Sequence, residues 1–75
     1  MEENNEMMAK IALFVKEKRE VMGMSQNELA FRVFGRKKQG TYIGLIENQK
    51  KEGLTIKVLA KILKELNSDI SFIEF

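Results

Sequence analysis

Two short helical patterns joined by a basic, glycine-containing turn occupy residues 25–48, SQNELAFRVFGRKKQGTYIGLIEN, and leave little room for another arrangement. Ser25 and Glu28 have the spacing of a capping box. In this motif the serine hydroxyl accepts a hydrogen bond from the backbone N–H of the third helical residue, and the glutamate carboxylate accepts one from the backbone N–H of the serine. Gly35 follows as a helix terminator. The pattern therefore predicts a helix, a turn and a second helix.

Apolar residues recur at helical spacing in both halves of this stretch. Met24 and Leu29 are placed to form a hydrophobic staple at the start of the first half. In the second half, Ile43 and Ile46 share one helical face, which predicts a buried side for that helix. The polar side chains outside this face are Gln39, Thr41 and Tyr42. We expect these side chains to be free to meet a partner.

A helical pattern lies on each side of this stretch. Upstream, apolar residues at three-and-four spacing predict a first helix from about Met7 to Met22, ended by Gly23. Downstream, Thr55 is placed to cap a fourth helix and Asn67 to end it. The apolar stripe of this fourth helix consists of Val58, Leu59, Ile62, Leu63 and Leu66. Together the patterns predict an all-α domain of four to five helices.

The last residues, 69–75 or DISFIEF, differ in character from the helices before them. They predict a short β-strand, because they are rich in β-forming residues and too close to the end to continue a helix. These residues are Ile70, Phe72, Ile73 and Phe75. A lone strand needs a partner strand, so they would form a dimer interface by pairing with a second copy across a twofold axis. The alternative is an irregular segment that folds back over its own core.

The composition limits both size and chemistry. A chain of 75 residues has room for one domain, spanning residues 1–75, with one modest core that oligomerisation would help to stabilise. It contains no cysteine and no histidine, which excludes disulfide scaffolds, cysteine nucleophiles, histidine bases and ordinary zinc sites. We therefore expect no enzyme and no cofactor. No apolar run approaches the length of a signal sequence or a membrane span, so we expect a cytoplasmic protein without a membrane partner.

The charge is distributed unevenly. The net charge is only +2, yet residues 35–64 hold eight cations and two anions. Residues 1–34 hold five cations and six anions, and residues 65–75 hold three anions. This concentration of positive charge fits a side that faces phosphates. The alternative is a lysine-rich surface that is simply solvated.

The segments GMSQNELA and TYIGLIEN resemble the helix-turn-helix of the phage-repressor family, which includes the Cro, lambda-repressor and Xre-type regulators. The resemblance covers about residues 9–68 and includes Arg19 and the downstream segment LTIKVLAKILKELN. It implies a compact, repressor-like helix-turn-helix domain. It also implies an ion pair between Arg19 and Glu47 that ties the first helix to the third.

In this family the third helix enters the major groove of double-stranded DNA while the second crosses the backbone. The resemblance thus implies base-reading roles for Gln39, Thr41, Tyr42 and Gln26. The candidate phosphate-binding residues are Arg36, Lys37, Lys38, Lys50 and Lys51. The turn is longer than is usual in the family, and its extra length falls in FGRKKQ, so we expect a basic loop beside the start of the third helix.

We therefore expect a sequence-specific transcriptional regulator, a repressor that binds a palindromic operator as a homodimer. One alternative is the antitoxin of a toxin–antitoxin pair, which represses its own operon and binds the toxin. Another is a protein-interaction module that has lost DNA binding. Gly40, the lengthened turn and the modest net charge keep this last alternative open. Gly40 stands where many relatives have a larger polar residue, and Gly44 lies inside the third helix, where glycine costs about 1 kcal/mol relative to alanine. They either weaken base readout or permit close approach of the helix backbone to DNA.

Overall fold

Four α-helices make up the described part of the chain. The computed structural model describes residues 2–35 and 40–68. The helices are α1 (Glu2–Val21), α2 (Gln26–Phe34), α3 (Gly40–Glu47) and α4 (Ile56–Glu65). No strand occurs within residues 2–35 and 40–68, so the all-α prediction is confirmed there. The strand predicted for residues 69–75 lies outside the described residues.

Side-chain caps begin α2 and α4, as the sequence predicts. The Ser25 hydroxyl accepts from the backbone N–H of Glu28 at 3.0 Å, and the Glu28 carboxylate accepts from the backbone N–H of Ser25 at 2.8 Å. The Thr55 hydroxyl accepts from the backbone N–H of Val58 at 3.2 Å. Each cap satisfies a backbone donor that the first turn of a helix leaves unpaired.

Residues in the left-handed backbone conformation follow the ends of the same two helices. Gly35 has φ 75°, and its N–H donates to the carbonyl of Phe31 at 2.8 Å. Most residues with a side chain are strained in this conformation and glycine is not, so the glycine favours the end of α2 at this point. Asn67, with φ 56°, follows α4 in the same region of backbone space.

The first helix is longer than predicted, since it begins at Glu2 rather than at about Met7. The prediction relied on apolar periodicity, and the polar residues at the start of the chain have none. Its end at Val21 agrees with the prediction, and Gly23 follows with φ 72°. The predicted face of α1 is the buried one. Its buried residues are Ile11, Ala12, Val15 and Arg19.

The hydrophobic core lies between one face of each helix. The closest helix pairs are α2 with α3, α1 with α3, and α2 with α4. The largest fully buried side chains are Val15, Leu29, Ile43, Ile46, Ile62, Leu63 and Leu66. Burying one leucine or isoleucine side chain contributes about 1.5–3 kcal/mol. The burial of both isoleucines of α3 therefore fixes which face of this helix turns outward.

Candidate nucleic-acid interface

The start of α3 lies directly against the first turn of α2. Gly40 is buried, and a Cβ atom on it would fall 1.8 Å from Oδ1 of Asn27 and 3.2 Å from the Asn27 Cα. The first distance is far inside van der Waals contact, and the second involves backbone that cannot rotate away. A glycine at this position therefore allows the two helices to approach each other closely.

The second glycine of α3 makes room for a side chain of α2. A Cβ atom on Gly44 would lie 3.2 Å from Oε1 of Gln26. Gln26 crosses α3 at this point, and its Nε2 donates to Oε1 of Glu47 at 3.1 Å. Both glycines that had suggested a close approach to DNA thus face α2.

A polar network joins α1, α2 and α3 beneath this contact. The Arg19 guanidinium donates through Nε to Glu47 Oε2 at 2.7 Å and through a terminal nitrogen to Glu47 Oε1 at 2.9 Å. Its other terminal nitrogen donates to the carbonyl of Met24 at 2.7 Å. The exposed fractions of the two side chains are 10% for Arg19 and 3% for Glu47. The hydrogen bond to Glu47 raises the pKa of Arg19 above its ordinary value, so the guanidinium stays charged inside the network.

The outward face of α3 consists of residues one helical turn apart. Thr41 and Asn48 are exposed, and Leu45 between them is 37% exposed. Asn48 continues the helical hydrogen bonding, because its N–H donates to the carbonyl of Gly44 at 2.9 Å. These three residues are separated by four and three positions, so they share one side of the helix. We call this side the outer face of α3.

Tyr42 lies at the border of the outer face rather than on it. It is half-buried, and its ring meets that of Phe34 edge to face, with centroids 5.1 Å apart and planes inclined by 66°. The Lys51 ammonium lies 4.7 Å from the centroid of the Tyr42 ring, within cation–π distance. Burial raises the pKa of the Tyr42 phenol above its ordinary value. Tyr42 therefore links the end of α2 to the segment that follows α3.

No family model, no curated protein and no solved structure matches this chain. The resemblance to phage repressors therefore stays a prediction.

The residues predicted as a site occupy three different environments. Thr41 is on the outer face, Lys50 is exposed beyond the end of α3, and Tyr42 and Lys51 form the border cluster with Phe34. Gln26 belongs to the Glu47 network. Its amide can still offer its second N–H and its oxygen to a ligand, because a carboxamide has two donors and two acceptor lone pairs. The predicted residues outside the described part of the chain are Arg36, Lys37, Lys38, Gln39, Ile70, Phe72, Ile73 and Phe75.

Two residues of the outer face were missed by sequence reasoning. Leu45 and Asn48 follow Thr41 at helical spacing and lie opposite the buried pair Ile43 and Ile46. The signal was present, because the position of the isoleucines defines the opposite face as well. Only the polar side chains near the start of the third helix were predicted to meet a partner, so neither residue was named.

The outer face of α3, made up of Thr41, Leu45 and Asn48, carries no charged side chain. Glu47 is the only charged residue of α3, and its carboxylate is bound to Arg19. Within residues 2–35 and 40–68, no group of three or more carboxylate, histidine or cysteine side chains could hold a metal ion. None of the helices in these ranges combines the length and apolar character needed to cross a bilayer. What the outer face offers is a hydroxyl, an apolar side chain and a carboxamide along one side of α3 and the residue that follows it.

Proposed function

We propose that this chain is a sequence-specific DNA-binding transcriptional regulator of the helix-turn-helix type. In this proposal α3 enters the major groove and α2 crosses the backbone, as in the family it resembles. The observation that carries the proposal is the outer face of α3, which projects Thr41, Leu45 and Asn48 from a helix held against α2 at Gly40. The major groove admits one α-helix and displays base edges to such side chains.

The charge of the sequence segment that contains α3 supports the same proposal. Residues 35–64 carry eight cations against two anions, and one of those anions, Glu47, is paired with Arg19. Lys50 and Lys51 lie three and four residues beyond the end of α3 at Glu47, where a DNA backbone would flank the groove. In the proposal these lysines, with Arg36, Lys37 and Lys38, contact phosphates, which position the protein without selecting a sequence.

We further propose that the regulator is a cytoplasmic repressor and acts as a homodimer on a palindromic operator. Two copies of α3 would enter successive major grooves, about 34 Å apart. The proposed dimer contact is the segment 69–75, with Ile70, Phe72, Ile73 and Phe75 pairing across the twofold axis. Light scattering on the full chain and on a chain lacking residues 69–75 tests this contact. We expect the mass of the shortened chain to be that of a monomer, and an unchanged dimer mass would count against the strand.

Mobility shift with duplex DNA of random sequence at low salt tests the proposal most directly. We expect binding at micromolar protein that weakens steeply as salt is added, because released counterions drive phosphate binding. Selection of bound sites should then yield two half-sites related by a twofold axis. Absence of any shift at low salt would overturn DNA binding.

A protein-interaction module is the second candidate, and the partial exposure of Leu45 is the observation that favours it. On that alternative, the outer face of α3 would contact a protein instead of a base. The antitoxin variant combines both activities, since it represses its operon and also binds a toxin. Copurification of the product of a neighbouring gene, together with operator binding, would distinguish that variant.

A further inference from the structure

Leu45 occupies the middle of the outer face of α3, one turn from Thr41 and nearly one turn from Asn48. Its side chain is 37% exposed, whereas Ile43 and Ile46 on the opposite side are fully buried. Its carbonyl is engaged, because the N–H groups of Lys50 and Lys51 donate to it at 2.7 and 3.1 Å. The backbone of Leu45 thus anchors the basic segment after α3, while its side chain projects from the face proposed to meet DNA.

We infer that Leu45 is a specificity-determining residue that selects thymine through the C5 methyl group of the base. This inference rests on the proposed function, since it requires α3 to lie in the major groove. Thymine is the only ordinary base with a methyl group in that groove, and the other bases show hydrogen-bonding groups or a bare C5 edge. A leucine side chain can bury a methyl group but cannot pair with a donor or an acceptor.

The methyl group itself carries this preference. If cytosine replaced thymine opposite Leu45, a bare C5 edge would take the place of the methyl group, while a polar group would remain beside it on either base. Discrimination would therefore come from the apolar contact that the methyl group adds. Thr41 and Asn48 flank the leucine with polar groups, so neighbouring base pairs can be read by hydrogen bonds. The outer face would then read one A·T pair between base pairs that are read by hydrogen bonds.

Deoxyuridine scanning tests this inference, because replacing thymine by deoxyuridine removes only the methyl group and keeps the base pair. Duplexes would first be selected from a random pool with the full chain, and each thymine of a bound site would then be replaced in turn. We expect at least one position in each half-site at which the replacement lowers affinity about fourfold, the effect of one buried methyl group.

Three variants connect that position to Leu45. Leu45→Ala should lower affinity for the thymine site and abolish its sensitivity to deoxyuridine, whereas Leu45→Met should keep the sensitivity because it remains long and apolar. Leu13→Ala is the matched control, since it removes an exposed leucine from α1 and should leave affinity and sensitivity unchanged. Circular dichroism of each variant would establish that the helices are retained.

The possible failures can be told apart. Sequence-preferring binding without any methyl-sensitive thymine would overturn the role of Leu45 and leave the proposed function standing. The same conclusion would follow if Leu45→Ala kept the wild-type sensitivity. Absence of binding to every duplex would instead overturn the proposed function, and this inference with it.

Discussion

Glu47, the last residue of α3, accepts hydrogen bonds from Arg19 of α1 through both carboxylate oxygens, at 2.7 and 2.9 Å. Two parallel hydrogen bonds of this kind fix direction as well as distance, because guanidinium and carboxylate are both planar. Gln26 adds a third hydrogen bond to the same carboxylate from α2. One side chain at the end of α3 therefore sets the position of this helix relative to two others.

Replacing Glu47 by alanine should destabilise the fold by about 3 kcal/mol, because it leaves the buried Arg19 charge without its partner. That loss is comparable to the whole stability of a domain of this size. Urea unfolding followed by circular dichroism measures it, and Glu47→Gln, which keeps the shape and an acceptor, should lose less. Glu20→Ala is the matched control, since this carboxylate is 3.9 Å from Arg19 and 56% exposed. We expect the control to change stability by less than about 0.5 kcal/mol, and equal losses at the two positions would contradict the prediction.

The two glycines of α3 should respond in opposite directions to substitution. Gly44→Ala should raise the free energy of unfolding by up to about 1 kcal/mol, because the new methyl group meets only the end of a flexible side chain, that of Gln26. Gly40→Val should lower it by about 1–3 kcal/mol, since the added atoms would be forced against the backbone of Asn27. Thermal or urea unfolding of the two variants measures the difference. A destabilised Gly44→Ala would show that Gln26 cannot yield.

The Tyr42 phenol should titrate at a higher pH in the folded chain than in the unfolded chain. Burial raises its pKa by disfavouring the charged phenolate. The associated stabilisation is complete below the unfolded pKa of about 10 and is lost as pH rises through the folded value. Tyr42 is the only tyrosine and the chain has no tryptophan, so ultraviolet absorbance of the phenolate reports this group alone.

Two phenylalanines of α2 supply the control for that titration. Phe34→Ala removes the ring that packs on Tyr42 and should move the midpoint toward the unfolded value. Phe31 is half exposed on the same helix, and Phe31→Ala should leave the midpoint in place. If both variants shifted the midpoint equally, the effect would come from general loosening of the fold.

Lys50 should contribute to the salt dependence of DNA binding and little to sequence preference. The slope of log affinity against log salt is negative, and each phosphate contact removed reduces its magnitude by about 0.9. Lys50→Gln should therefore flatten this plot on operator and random duplexes alike. Lys16→Gln makes the same charge change at an exposed position of α1 and should leave the slope unchanged. Fluorescence anisotropy over a range of salt concentrations measures both, and identical slopes for both variants would exclude a phosphate contact by Lys50.

The helices and the core were predictable because their signals are local. The Ser25–Glu28 box, the Thr55 cap, Gly35 and Asn67 each satisfy or end the backbone within a few residues, so sequence spacing is sufficient. The apolar stripe of α4 agrees with its predicted residues, although Val58 is only partly buried. The predicted start of α1 was wrong, since a polar first turn gives no periodic signal.

The finer structure of the site depends on contacts between helices, which spacing alone does not determine. The sequence could mark Gly40 and Gly44 as unusual, yet only the crossing of α2 over α3 shows that Asn27 and Gln26 occupy the space beside them. The same crossing turns Gln26 toward Glu47 and places Tyr42 between Phe34 and Lys51. Leu45 was not among the predicted site residues, although its position opposite Ile43 and Ile46 places it on the outer face of α3.

The close packing at Gly40 and Gly44 also bears on how such a domain could change its target. One side of α3 packs against α2 and the core, and Glu47 at its end binds Arg19. Substitutions at these positions therefore alter folding together with recognition. Thr41 and Asn48 are exposed, and Leu45 is the most exposed apolar side chain of α3. A library varied at these positions alone should therefore explore new binding preferences on an unchanged scaffold, which makes this domain a compact starting point for evolving recognition.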